Sequence, residues 1–436
     1  MNIRQLALSL LNEYEVGAKY VNLSLSSHSA DKLAPKERAA LTVLLYTAVE
    51  RKITYDYLIC SLSGRSIDKV ELYTRNILRL GLCQVLDMKS VPDFAAVNET
   101  VKLCRSAGEK SFVNGILRAA VRNKDNLSLP DANKNYRRYL SVKYSFPLWI
   151  VKLLDSCYGS ESTESMLRFF NEEKYTDLTV NTIKTSAEDF ANRLREAGYP
   201  CEISADCPIS VRLLCSVNPE NIPGFADGEF FVQDRACAIS AMALDPKPGD
   251  LIVDTCACPG GKSFASAILS RDSGKIYSFD IHDSKLSLIT DSAQRLSLNS
   301  IITDQCDAEC PCDDLLGKAD KVICDAPCSG LGVLGKKPDL RYKDESIASS
   351  LPALQLSILE KSAGYLRAGG ELIYSTCTLN PAENEDVVNA FLAENPEFSK
   401  VPFSVGSLKC DGGMMTLLPH VHNTDGFFMA KIIKNG

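Results

Sequence analysis

Two short stretches carry a thiol where a strand would end: Asp325-Ala326-Pro327-Cys328-Ser329-Gly330 and Ser375-Thr376-Cys377-Thr378. The first follows the run Lys321 to Cys324 and the second the run Glu371 to Tyr374, both of strand type. Two thiols and a carboxylate facing one pocket suit attack on an electron-poor ring. Carbon 5 of a cytosine is too weak a nucleophile to accept a methyl group unaided. A thiolate adding to carbon 6 makes carbon 5 enamine-like, and a carboxyl hydrogen-bonded to ring nitrogen 3 stabilises the adduct. A base then removes the carbon 5 proton and the thiolate is expelled. Taken singly, each cysteine has the plainer reading of an inert buried thiol. Two at matching strand ends shift the balance.

A third stretch, Asp254-Thr255-Cys256-Ala257-Cys258-Pro259-Gly260-Gly261-Lys262, stands between the apolar run Leu251-Ile252-Val253 and the helical run Ser263 to Leu269. It reads as strand, glycine turn and helix start, which is where open α/β sheets bind their ligands. Gly260 and Gly261 let a bound molecule approach the backbone, and the helix start offers free N–H groups. A phosphate-binding P-loop is excluded, because Cys256 stands where that motif needs its first glycine. The dinucleotide pattern G-x-G-x-x-G is absent here as well. Asp280, closing the next strand, is placed to accept hydrogen bonds from ribose hydroxyls. It can equally cap the helix that follows.

The elements that position these residues alternate from Phe230 onward, which predicts a doubly wound parallel sheet over residues 229–436. Its strands are Leu251–Val253, Lys275–Phe279, Ile301–Thr303 ahead of Asp307, Lys321–Cys324 and Glu371–Tyr374, with a late edge hairpin from Met414–Leu418 and Gly426–Ile433. In the common doubly wound order the first, fourth and fifth strands are adjacent, about 5 Å apart, so Cys328 and Cys377 would share a pocket. Upstream, residues 1–125 are helical: Leu6, Leu10, Leu11 and Tyr14, then Leu41, Leu44, Leu45 and Ala48, then Ile77, Leu78, Leu80 and Leu82 recur at helix spacing. Breaks are expected at Pro35, Gly64, Pro92 and Gly108. Between them, residues 136–228 read as a small α+β connecting module.

The chain of 436 residues has ordinary globular composition, 45 % apolar and 24 % charged, which excludes a disordered or fibrous class. Its net charge of −7 is unevenly spread. Residues 1–125 hold 18 Lys and Arg against 13 Asp and Glu, and the remainder 30 against 42. A basic helical module beside an acidic catalytic one fits a nucleic-acid grip joined to an enzyme, although so small an excess also fits an ordinary solvated surface. No signal segment or membrane-length apolar run is visible, so a cytoplasmic protein with no membrane partner is expected. Seventeen cysteines in such a chain argue for free thiols. Cys306, Cys310 and Cys312 with His282, His420 and His422 lack paired C-x-x-C knuckles, so no metal is expected.

At this point the motifs become specific. Cys256 to Lys262, Asp325 to Gly330, Ser375 to Thr378, Phe231-Val232-Gln233-Asp234 and Asp425-Gly426-Phe427-Phe428-Met429-Ala430-Lys431 resemble, in order, those of the NOL1/NOP2/Sun family of RNA cytosine-5 methyltransferases. Ala96 to Leu103 and Phe112 to Arg118 resemble the closing helices of the NusB family, an RNA-binding helical fold; Asn98 and Asn114 there are expected to hold helix ends rather than touch RNA. The combination is similar to a bacterial branch of the family that acts on small-subunit ribosomal RNA.

The resemblance implies an all-α NusB-like domain, an α+β connector and a Rossmann-like methyltransferase domain. It implies S-adenosylmethionine as donor, held by Cys256, Ala257, Cys258, Pro259, Gly260, Gly261, Lys262, Asp280, Asp307 and Asp325. It further implies Cys377 as nucleophile, Cys328 as the residue assisting proton removal and release, and 16S rRNA, free or in a small-subunit assembly intermediate, as partner of a monomeric enzyme. DNA cytosine-5 methyltransferases use the Pro-Cys thiol instead, so Cys328 is the rival nucleophile. An RNA-binding assembly or antitermination factor with a vestigial enzyme domain is the rival function. The chain departs from the family at Cys258, commonly alanine, and at Tyr342, commonly tryptophan. The segment Pro338–Tyr342 is expected on the substrate side.

Overall fold

The structure, a computed structural model, describes residues 2–17, 33–172 and 175–436. The part of the helical pattern expected over 18–32 lies outside the described residues. The chain forms two compact units: Met1–Asn171 with Lys336–Lys343, and Glu172–Gly335 with Asp344–Gly436.

The first unit is helical. Helices Ile3–Glu15, Pro35–Glu50, Lys52–Ser63, Leu72–Leu86, Asp93–Val101 and Ala107–Arg122 enclose a core built from the residues whose spacing foretold it, Leu6, Leu10, Leu11, Leu41, Leu44, Leu45, Ile77, Leu78, Leu80 and Leu82. Pro35 opens one helix and Gly64, at φ +66°, closes another. Gly108, by contrast, sits inside the first turn of its helix. The boundary there is Ser106, whose Oγ accepts from Glu109 N at 3.2 Å. Asn98 and Asn114 lie mid-helix rather than at helix ends: Asn98 is exposed, and Asn114 accepts from Arg118.

Helices Tyr136–Tyr144, Leu148–Tyr158 and Ser160–Asn171 also belong to this unit, although the sequence grouped them with the connector. Thr54 Oγ1 donating to Val142 O at 2.6 Å, and Ile53 N to Ser145 Oγ at 3.0 Å, tie them to the helix Lys52–Ser63. The segment Pro338–Tyr342 packs here too. Arg341, fully buried, reaches Glu50 Oε1 at 3.0 Å and Asn171 Oδ1 at 2.8 Å, and its guanidinium lies 3.8 Å from the centre of the Phe146 ring. Tyr342 Oη donates to Val49 O at 2.8 Å. These side chains serve the packing of the helical unit.

The second unit holds a small antiparallel sheet, a large mixed sheet and a two-stranded pair, β11 (Phe403–Val405) with β12 (Leu408–Cys410). Strands β1 (Thr176–Val180), β2 (Cys201–Ser204), β3 (Cys207–Leu213) and β4 (Phe230–Val232) form an antiparallel sheet in the order β2-β3-β1-β4, with helix Ala187–Glu196 packed on it. The sequence placed Phe230–Val232 at the head of the methyltransferase unit. In the structure this strand pairs with β1, Leu178 facing Val232 and Val180 facing Phe230.

The large sheet runs β10-β14-β9-β8-β5-β6-β7, built from β5 (Leu251–Asp254), β6 (Lys275–Asp280), β7 (Ile301–Gln305), β8 (Ala319–Asp325), β9 (Leu366–Thr376), β10 (Phe398–Lys400) and β14 (Phe427–Lys434). Strands β5 to β9 are parallel, and the strands of the site, β5, β8 and β9, are adjacent as expected. The late hairpin forms with β13 (Met414–Leu417) against β14, but β14 also pairs with β9 and with β10, so it is interior to the sheet. Asn181, just past β1, donates both to Gly228 O, ahead of β4, and to Leu296 O, at the end of the helix Asp283–Leu296, each at 3.0 Å.

Candidate active site

The turn after β5 is shaped for close approach. Gly260 has φ +103°, and a Cβ there would fall 2.4 Å from the Phe264 ring, so only glycine fits. Ala257 N donates to Phe279 O at 2.7 Å, fastening the turn to the end of β6. The helix Gly261–Leu269 begins there, its first intrahelical bond running from Phe264 N to Gly260 O. Asp254 beneath the turn is almost fully buried and accepts from Ser263 Oγ at 2.7 Å. Burial pushes its carboxyl up to about 7, against the Ser263 hydrogen bond.

Asp280 and Asp307 stand at the ends of β6 and β7, on the far side of β5 from the thiols. Asp280 Oδ1 accepts from His282 N at 2.9 Å and Asp307 Oδ1 from Glu309 N at 3.0 Å. Each therefore shapes its own turn with one oxygen. No direct contact joins either to Cys328 or Cys377.

At the ends of β8 and β9 the predicted residues converge. Cys328 Sγ lies 3.3 Å from Cys377 Sγ. Asp325 is held from both sides, by Lys262 Nζ at 2.6 Å on Oδ2 and by Ser375 Oγ at 2.7 Å on Oδ1. Lys262 is buried. Burial works against its charge, but Asp325 beside it outweighs that cost and holds the ammonium above the ordinary lysine range. The hydrogen bond with Cys328, and then the packing around the thiol, keep Cys377 protonated well above the usual thiol range, while Lys262 pulls the other way.

The residue after each cysteine is anchored on one side chain absent from the sequence reading, Glu383. It is fully buried. Its Oε2 accepts from Ser329 N at 2.8 Å and Gln355 Nε2 at 3.1 Å, and its Oε1 from Ser329 Oγ at 2.6 Å, Asn380 Nδ2 at 3.1 Å and Thr378 Oγ1 at 3.3 Å. The Cys328 and Cys377 loops thus share one carboxylate. Gly332 adds a backbone clasp: its N donates to Cys377 O and its O accepts from Gly426 N, each at 2.9 Å. Gln233 stands at the exit of the small sheet, within the run Phe231-Val232-Gln233-Asp234. It approaches Gly261 and leaves its Nε2 unpartnered. In sequence Glu383 is one acid in the polar run Asn380-Pro381-Ala382-Glu383-Asn384, and nothing local marks it as buried.

Among the described residues no group of three or more His, Cys, Asp or Glu is placed to hold a metal. No helix there is long and apolar enough to cross a membrane.

Comparison with known proteins divides the chain into three segments, the middle one of which takes in the helices Leu148–Tyr158 and Ser160–Asn171 together with strands β1 to β3 of the small sheet. Residues 241–433 match the 16S rRNA methyltransferase RsmB/F family, residues 1–122 the NusB family, and residues 146–218 a ferredoxin-like domain of RsmF/B-like methyltransferases. The probable ribosomal RNA small subunit methyltransferase B of Synechocystis is 36 % identical, with all of both chains covered. That of Bacillus subtilis is 34 % identical over 100 % of this chain and 99 % of its own. A crystal structure of a methyltransferase homologue from Pyrococcus horikoshii is 28 % identical, with a TM-score of 0.61, over 69 % of this chain and 99 % of its own. The chain belongs to the RsmB/F family of 16S rRNA methyltransferases and carries a NusB-family segment at its amino end.

Proposed function

We propose that the chain methylates carbon 5 of a cytidine in 16S rRNA, at the position numbered 967 in the standard scheme, through a covalent adduct on Cys377. The observation that carries this reading is the pair of sulfurs 3.3 Å apart beside a carboxylate fixed by Lys262 and Ser375. S-adenosylmethionine, when bound, supplies a methyl carbon made electrophilic by its sulfonium. The residues fit such a group: the Gly260–Gly261 turn is bare of side chains, Gln233 offers it a buried and unpartnered donor, and Asp280 and Asp307 stand on the side of β5 where a nucleoside would lie. Cys256 to Lys262, Asp280, Asp307 and Asp325 are the residues that would hold it.

In this reading the target base leaves its stack to present its face to Cys377. The Cys377 proton must leave first, to solvent, a loss that the Lys262 charge favours. The sulfur then bonds to carbon 6, and the electron pair of the 5,6 double bond makes carbon 5 the nucleophile. Asp325, carrying a proton, donates a hydrogen bond to ring nitrogen 3 while charge builds there. After transfer, Cys328, having given its own proton to solvent, takes the carbon 5 proton. The C–H pair re-forms the double bond, and the carbon 6 to sulfur bond breaks to release Cys377. The helical unit contributes RNA affinity through phosphate contacts, which makes binding salt-sensitive. Each chain carries a full set of these residues, so a monomer suffices, working in the cytoplasm where the rRNA substrate is.

The test is adduct formation. Cys377→Ala should abolish both turnover and covalent RNA, whereas Cys328→Ala should accumulate an adduct that resists release. Equal adduct formation by Cys377→Ala would hand the nucleophile's role to Cys328.

A further inference from the structure

Gln233 leaves the small sheet directly after β4 and is 7 % exposed. Its orientation is fixed at both ends. The backbone N donates to Asp177 O at 3.1 Å, and the side-chain Oε1 accepts from Thr179 Oγ1 at 2.9 Å. Nε2 is thereby turned away from the small sheet. It has no hydrogen-bond partner, and it sits 3.0 Å from where a Cβ on Gly261 would be. A buried amide donor left unpaired costs about 1–3 kcal/mol. Such a group is retained most easily where a ligand completes it.

The surroundings define the ligand's charge. Gly261 opens a helix whose first N–H groups have no acceptor within the helix, and the positive end of the helix dipole faces the same place. Lys262 follows, with its ammonium buried on Asp325. Donors converge here from the helix start and from Gln233. A compact anion with several acceptor oxygens is what they match, and a carboxylate has that geometry.

We infer that Gln233 is a cofactor-binding residue whose Nε2 donates to the α-carboxylate of the amino-acid end of S-adenosylmethionine. The inference rests on the proposed cofactor and adds which end of it meets the helix start. It also gives the small sheet a part in cofactor binding, because Thr179 of β1 aims the amide. The glycine at 261 then has a second reason: any side chain would occupy the space between amide and helix.

The experiment is calorimetric titration of the full chain with S-adenosylhomocysteine and with its decarboxylated analogue, which keeps the nucleoside, the thioether and the amine. Gln233→Ala should weaken S-adenosylhomocysteine binding about tenfold, the effect of losing one charge-assisted hydrogen bond. It should leave the analogue within about twofold, because that ligand has no carboxylate to lose. Gln233→Glu retains the acceptor for Thr179 but sets a negative charge against the carboxylate, so its loss should exceed that of the alanine variant. Thermal unfolding without ligand checks that each variant is folded. Equal weakening of both ligands, or no weakening of S-adenosylhomocysteine, would overturn the role of Gln233. Failure of the wild-type chain to bind S-adenosylhomocysteine would instead remove the cofactor reading itself, and Gln233's role with it.

Discussion

Replacing Glu383 by glutamine is the most searching perturbation of the site, because it changes one charge and almost no volume. The carboxylate accepts five hydrogen bonds, from Ser329 N, Ser329 Oγ, Thr378 Oγ1, Asn380 Nδ2 and Gln355 Nε2. A glutamine can keep its oxygen on only one side. With oxygen in the Oε2 position, the new amide group faces two hydroxyls that can turn to accept, and one donor, Asn380 Nδ2, that cannot. In the other orientation it faces Ser329 N and Gln355 Nε2, both donors. The first arrangement is therefore favoured.

It leaves one donor opposed by a donor, at about 1–3 kcal/mol, and converts the surviving charge-assisted bonds into neutral ones, each weaker by about 1 kcal/mol. A total of about 3–5 kcal/mol follows, a large share of the 5–15 kcal/mol typical of a folded domain. Ser329 and Thr378 each follow a site cysteine, so relaxation around residue 383 shifts both sulfurs. A displacement near 1 Å costs about 10²-fold in reaction rate. Urea unfolding reads the first effect. The rate of covalent trapping on RNA carrying 5-fluorocytidine at the target, where no carbon 5 proton can leave, reads the second. Exposed Glu394→Gln is the control. A Glu383→Gln chain within about 1 kcal/mol of wild type and trapped at an unchanged rate would refute the clamp.

Asp254 gives a pH signature. Its carboxyl is pushed up to about 7 in the folded chain against an ordinary value of 3.8, so the proton it holds contributes stability that is fully present below pH 3.8 and lost as pH rises through 7. Wild type should lose about 1.4 kcal/mol per pH unit relative to Asp254→Asn between pH 5 and 7 and level off above that; a flat difference would contradict the burial argument. Gly332→Ala would set a Cβ 1.8 Å from Gly426 O and 2.8 Å from Cys377 O, both backbone atoms that cannot swing aside. Unfolding should show a loss of about 2–3 kcal/mol, with covalent trapping slowed in parallel, and an unaffected variant would mean the clasp is not tight.

The chain's own order of residues determined much about this protein, because the signals concerned are local. Leu41, Leu44, Leu45 and Ala48, recurring at helix spacing, state a buried helix face, and an apolar run ending in Asp254, Asp280 or Asp325 states a strand and the end that faces the ligand. Adjacency of the two cysteine-bearing strands then followed from the usual sheet order. The tertiary structure alone decided which distant groups meet. Glu383 reaches Ser329 across 54 positions, and an acid in a polar loop reads as exposed until its donors are in place. Phe230–Val232 has the same strand propensity in either sheet, and only pairing with β1 assigned it. Arg341 reads as a surface charge, yet it is fully buried because Glu50 and Asn171, 291 and 170 positions away, compensate it. Burial of a polar group depends on partners brought from elsewhere in the chain, and that is a property of the folded packing rather than of any window of sequence.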